Sequence, residues 1–239
     1  MSRRLIAFSI SLGIGAIVAL SVLCTPRPAY TYQTCDTGDP QCDLRQGGGD
    51  DNVGPCSPII IDVRRTGYDL TSARDGVVFD IIGSGKPVAI AWTSAGSGNG
   101  FLALDRNHNG TIDNGTELFG DVTPQPSSKT PNGFLALSEF DTPEYGGNLD
   151  GVIDASDAVF GSLQVWIDDN HDGVSQTREL HTLSELGIIS ISVEYKSSGR
   201  VDQYGNRFLY RAKVTFASNT GSAPGQELAY DVFLTSLGS

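Results

Sequence analysis

The stretch Val165-Trp166-Ile167-Asp168-Asp169-Asn170-His171-Asp172-Gly173-Val174-Ser175, continued by Gln176 and Glu179, decides how the chain is read. Counted from Asp168, oxygen-bearing side chains stand at positions 1, 3 and 5, a glycine at 6 and an acid at 12. A hard divalent cation needs six to eight oxygens, and a tightly curled loop supplies them by turning every second side chain inward. Glycine makes the sharp turn, the position-7 carbonyl joins the shell, and a late carboxylate closes it. The ligand set read from this loop is Asp168, Asn170, Asp172, the Val174 carbonyl, Gln176 and Glu179.

This is the EF-hand calcium-loop pattern, and it occurs three times. A first loop begins 63 residues earlier at Asp105 and offers Asn107, Asn109, the Thr111 carbonyl and Asp113, with its acid one place late at Glu117. A second loop offers Asn148, Asp150, the Val152 carbonyl, Asp154 and Asp157. Its first ligand is Asp141, with Thr142–Gly147 inserted where one residue would do. Ser175 stands at position 8 of the third loop, where an apolar residue ordinarily pairs one loop with its neighbour.

Charge follows the loops. Asp105 to Glu179 holds 14 acidic and three basic side chains, so −11 of the chain's −12 falls within these 75 residues. Without a cation such carboxylates repel one another. Asp, Asn and Gly also favour plain surface turns, but three such loops inside one acidic zone point to Ca²⁺. The same balance excludes nucleic acid as a partner, because phosphate contacts need a basic face.

Outside the loops the chain divides into three. Arg3 and Arg4 precede an uncharged, mostly apolar run, Leu5 to Cys24, so residues 1–24 read as an export signal or an N-terminal membrane anchor. Residues 25–56, with Pro26, Pro28 and Gly47-Gly48-Gly49, have linker composition. Cys35, Cys42 and Cys56 are an odd number after the apolar run, which leaves their pairing open; Cys35–Cys42 is the shortest bridge. The folded unit is expected at 57–239, secreted or anchored outside the cytoplasm.

Within that unit short apolar runs read as strands: Ile59–Ile61, Gly76–Phe79, Val88–Trp92, Phe101–Leu104, Ile189–Val193, parts of Phe208–Phe216, and Tyr230–Leu234. Between them Phe134/Leu137/Phe140, Ala158/Val159/Leu163 and Leu180/Leu183/Leu186 have helical spacing. The fold expected is α+β, with short antiparallel strands flanking a central helix–loop–helix calcium-binding region. His108 and His171, both at position 4 of their loops, are expected to point outward. No nucleophile–base or paired-acid arrangement separates from the ligand set, so no enzyme is expected and no protein partner is named.

Three signatures carry a family resemblance: Phe101 to Gly120; Asn132 to Asp141 together with Asp150 to Asp157; and Val165 to Ser175, continuing through Glu179-Leu180 to Leu183–Ile188. They are similar to the EF-hand-like calcium domain of secreted bacterial proteins, including the self-processing modules of RTX-type exoproteins. The resemblance implies calcium binding and the family fold. It also implies cleavage of an Asp-Pro bond just before the first strand, but here the dipeptide is Ser57-Pro58, which has no carboxylate, and Asp39-Pro40 lies well upstream. Two early loops, Asp62–Gly67 and Asp80–Gly85, lack ligands at several positions. The expectation is therefore calcium binding that stabilises folding, with calcium-triggered self-processing or cross-linking, and surface adhesion, as the alternatives.

Overall fold

Alternation along three neighbouring strands builds the molecule. In β1 (Ile59–Asp62), β4 (Asn99–Ala103) and β6 (Gln164–Trp166), Ile59, Ile61, Leu102 and Val165 enter one apolar cluster, while Ile60, Phe101, Ala103 and Trp166 enter a second. Successive strand residues point to opposite faces, so a strand apolar at every position must be covered on both sides. The computed structural model describes residues 57–218 and 225–237, which lie within one compact unit, Cys35–Ser239. The expectations for residues 1–24, the linker, the cysteines and Asp39-Pro40 fall outside the described residues.

Eleven strands are present among the described residues. The remaining ones are β2 (Val77–Phe79), β3 (Val88–Ile90), β5 (Val152–Asp154), β7 (Leu180–Thr182), β8 (Ile188–Ser192), β9 (Lys196–Val201), β10 (Arg207–Phe216) and β11 (Gly225–Phe233). One sheet runs β5-β8-β10-β11-β1-β4-β6-β7 with every pair antiparallel, and β9 pairs with the first half of β10. β2 and β3 form a separate hairpin. Its residues Val77, Phe79 and Ile90, followed by Trp92, cover one face of the sheet. The other face carries the one α-helix of the described residues, α1 (Gly133–Ser138), through Phe134, Ala136 and Leu137. The Asn132 side chain caps it by accepting the Leu135 N–H at 3.0 Å.

This corrects the expected α+β class: the described fold is mostly β, and no helix–loop–helix stands at its centre. The first loop is entered from strand β4 and the third from strand β6, and each leaves through a 3₁₀ turn, Gly115–Glu117 or Thr177–Glu179. Phe101 and Leu102 are both fully buried, one on each face, which only a central strand achieves. Leu180/Leu183/Leu186, read as helical, begin in β7, which pairs with β6. They then make one turn, closed by the Leu186 N–H to Thr182 carbonyl bond and by Gly187 at φ 71°. The Ala158–Leu163 segment is a 3₁₀ turn, Phe160–Ser162, not a helix. Phe134/Leu137/Phe140 is the one apolar repeat that forms α-helix, and only for six residues.

Candidate metal centres

In all three loops the position-1 carboxylate is held by amides at positions 5 and 6. Asp105 accepts from Asn109 N (3.2 Å) and Gly110 N (2.8 Å). Asp168 accepts from Asp172 N (3.1 Å) and Gly173 N (2.8 Å). Asp141 accepts from Asp150 N (3.2 Å) and Gly151 N (3.0 Å), so the structure brings it to the place of a first ligand across the inserted segment. That insertion folds as the 3₁₀ turn Pro143–Tyr145 ended by Gly146 at φ 82°.

The ladder continues from side chain to amide. The oxygen of Asn107, Asn148 or Asn170 accepts the amide two residues on, and that of Asn109, Asp150 or Asp172 does the same. Position 4 is left-handed in each loop: His108, Leu149 and His171 have φ of 60°, 61° and 58°. At position 6, Gly110, Gly151 and Gly173 have φ of 85°, 86° and 69°, a region in which a Cβ is strained. His108 is exposed as expected, but His171 is not free: its ring nitrogens lie 2.9 Å from the Thr93 carbonyl and 2.8 Å from the Asp75 carbonyl.

The closing acids are buried. Glu117, Asp157 and Glu179 are 2%, 4% and 2% exposed. Each accepts the position-9 amide, from Asp113 (2.8 Å), Asp154 (2.8 Å) and Gln176 (3.4 Å) respectively. The extra residue before Glu117 is absorbed in the Gly115–Glu117 turn, capped by Asn114. Glu117 uses both oxygens, the second on Arg106 N at 3.1 Å. Asp157 Oδ1 and Glu179 Oε1 have no hydrogen-bond partner among the described residues, and Arg178 approaches Glu179 Oε1 only to 3.8 Å. Burial, reinforced by neighbouring loop carboxylates, pushes both carboxyls above the usual range. Asp113 is instead held low by hydrogen bonds from the Asn107 and Asn109 amides.

Residues that sequence reasoning did not single out anchor the third loop. Trp92 Nε1 donates to Asp168 Oδ2 at 2.8 Å, and Trp166 Nε1 reaches Glu179 Oε2 at 3.4 Å. The chain's only two tryptophans thus touch the first and last acids of one loop. Trp166 precedes the loop closely, but Trp92 lies 76 residues from Asp168, and no local pattern announces that contact.

The oxygens present suit Ca²⁺ better than a nitrogen- or sulfur-preferring ion. Among the described residues no group of three or more His, Cys, Asp or Glu side chains could hold a metal unaided. Each candidate shell therefore depends on Asn oxygens and backbone carbonyls as well. The orphaned, buried oxygens of Asp157 and Glu179 are the observation that suits a cation ligand, since an unsatisfied buried carboxylate is costly. No helix of the described residues is long and apolar enough to cross a membrane.

Known proteins resemble this chain over most of the described residues. The model of the SPM domain family matches residues 59–231. The iron-regulated protein FrpA of Neisseria meningitidis serogroup C is 38% identical over 174 residues, which is 72% of this chain. The match spans 15% of that much longer protein.

Proposed function

The chain belongs to the SPM domain family, and we propose that it is an exported calcium-binding module whose folding Ca²⁺ stabilises. Asp168, Asn170, Asp172, the Val174 carbonyl, Gln176 and Glu179 would hold one ion. Asp141, Asn148, Asp150, the Val152 carbonyl, Asp154 and Asp157 would hold another, and Asp105, Asn107, Asn109, the Thr111 carbonyl, Asp113 and Glu117 a third. The single observation that carries the reading is the same hydrogen-bond ladder repeated in three loops, each ending on a buried acid that takes the position-9 amide. A bound Ca²⁺ neutralises loop carboxylates that otherwise repel one another. Because the unfolded chain cannot assemble these shells, binding adds to folding stability.

Extracellular modules of this kind bind at about 10⁻⁴–10⁻³ M. At such affinity the sites fill in a calcium-rich exterior and stay empty inside the cell, which agrees with reading the apolar run Leu5 to Cys24 as an export signal or membrane anchor. At a calcium concentration of about 100 Kd each site adds about 2.7 kcal/mol. Melting is therefore expected to rise by at least several degrees between chelator and saturating calcium. An unchanged melting temperature would sink the reading. Self-processing is left outside the proposal because Ser57 offers a hydroxyl in place of a carboxylate. A denaturing gel after calcium incubation shows one intact band if that exclusion is right.

A further inference from the structure

We propose that the first and third loops fill as one coupled unit while the second fills on its own; this rests on the calcium reading above and adds how its sites communicate.

Position 8 carries the argument. In the third loop it is Ser175, 6% exposed, whose Oγ accepts the Ile112 N–H at 2.7 Å and lies 3.3 Å from the Ile112 carbonyl, to which it donates. Ile112 is itself position 8 of the first loop. A hydroxyl has one proton and two acceptor lone pairs, so it engages both backbone groups of one residue, as a paired strand would. The apparent departure from the apolar pattern is thus the link between the two loops. Ile112 lies between the Thr111 carbonyl and Asp113, and Ser175 between the Val174 carbonyl and Gln176. Fixing either position-8 residue orients the adjoining ligands of both loops.

The second loop has a different neighbour. Its position 8, Ile153, lies in β5 and pairs with Ile191 of β8, far along the sheet from β4 and β6. The position-8 residues Ile112 and Ile153 divide between the apolar cores the same way. Ile112 packs in the cluster containing Phe79, Trp92 and Trp166, whereas Ile153 packs with Val159 and Phe160 on the opposite face. Within the cluster around Ile112 the rings of Trp92 and Trp166 meet edge-on at 5.4 Å, and both lie against Phe79 at 5.1 and 5.6 Å. Since these indoles hold Asp168 and Glu179, a cation that orders the third loop also orders the packing around Ile112. Two loops joined by a buried hydrogen-bonded bridge and a shared core have a physical route for coupling. The second loop has no such bridge; it meets the third only through the core that Ile153 shares with Ile167.

Coupling between sites typically changes affinity by about 5–150-fold, and it is reciprocal. The position-6 amides report each loop separately, since Gly110, Gly151 and Gly173 each donate to that loop's first acid. Calcium titration of the full chain, followed by amide proton–nitrogen NMR, should move Gly110 and Gly173 with one midpoint and Gly151 with another. Ser175→Ala should separate the Gly110 and Gly173 midpoints by about fivefold or more and leave Gly151 in place, while Ser175→Thr, which keeps the hydroxyl, should hold them together. If the alanine variant does not fold, Asp157→Asn serves instead: it should abolish the Gly151 response and leave the Gly110 and Gly173 midpoints within about twofold. Three independent midpoints in the unaltered chain, one midpoint shared by all three, or a Gly151 shift equal to the others in Ser175→Ala would each overturn the partition while leaving calcium binding intact. No response at any of the three glycines would overturn the calcium reading itself.

Discussion

Asp231 is the place to test how burial sets the pH response of this fold. It lies on β11, fully buried, and its Oδ2 accepts the Gly133 N–H at 2.7 Å at the start of α1. Ser57 also hydrogen-bonds to the carboxyl, but Oδ1 has no partner among the described residues. Desolvation, aided by the nearby Asp121 charge, outweighs those two bonds and raises the carboxyl from 3.8 to about 7. Between those values the folded chain keeps a proton that the unfolded chain has lost, so this group's contribution to stability falls as pH rises. From pH 5 to pH 8 the loss works out at about 2.5 kcal/mol. Asn at this position stays neutral throughout and keeps an acceptor for Gly133. Urea unfolding in chelator, at several pH values, should therefore show the unaltered protein losing about 2.5 kcal/mol more than Asp231→Asn over that interval. Asp157 and Glu179 also sit above their ordinary values, but they are common to both proteins and cancel in the difference. Parallel stability curves, within about 0.5 kcal/mol, would refute the reasoning.

Two further outcomes follow from single contacts. Glu179→Gln removes the closing charge of the third loop and should weaken its calcium affinity about tenfold or more; tryptophan emission reads this directly through Trp92 and Trp166, and an unchanged titration curve would count against Glu179 as a ligand. Gly120→Ala should cost on the order of 3–5 kcal/mol, because a Cβ there would stand 1.6 Å from the Ser57 carbonyl oxygen; a melting temperature within about 2 °C of the parent would show that the strand entry at Pro58 yields more easily than its geometry implies.

Much of the sheet was legible in local sequence. Ile59–Ile61 and Phe101–Leu104 are apolar at consecutive positions, and such runs can only be strands buried on both faces or buried helix; flanking Gly and Asp decided for strand. Lys196–Val201 had no apolar signal, because β9 is almost wholly exposed and owes its place to pairing with β10. The helical reading of Leu180/Leu183/Leu186 failed for a related reason. Spacing of three also fits a short strand followed by one turn, and pairing between Trp166 and Leu180 settles which forms. Asp141 was readable across its insertion because Asn148-Leu149-Asp150-Gly151 preserves the register of the loop. The Ser175–Ile112 bridge was not, since a hydroxyl at an apolar position looks like a loss until its partner, 63 residues away, is in view.

The two early loops without a full ligand set sharpen what calcium would do under the proposed function. Gly67 N donates to Asp62 Oδ2 at 2.6 Å, with Arg65 and Gly67 at φ 57° and 106°. Gly85 N and Ser84 N donate to Asp80 Oδ2 and Oδ1 at 2.6 and 3.0 Å, with Gly83 and Gly85 at φ 68° and 76°. Positions 1, 4 and 6 therefore repeat the geometry of the three acidic loops, although Arg64 and Ile82 stand where a third-position oxygen would be. A curl that forms around arginine and isoleucine is made by the first carboxylate and the left-handed residues, with no cation required. What separates the acidic loops from these frames is the buried acid at the far end, Glu117, Asp157 or Glu179, which takes the position-9 amide. On the proposed calcium reading, the ion would stabilise the fold by joining the curl to its closing acid and cancelling charge within −11, rather than by shaping the curl. That division explains how the described residues carry five such turns of which three have the oxygens for an ion.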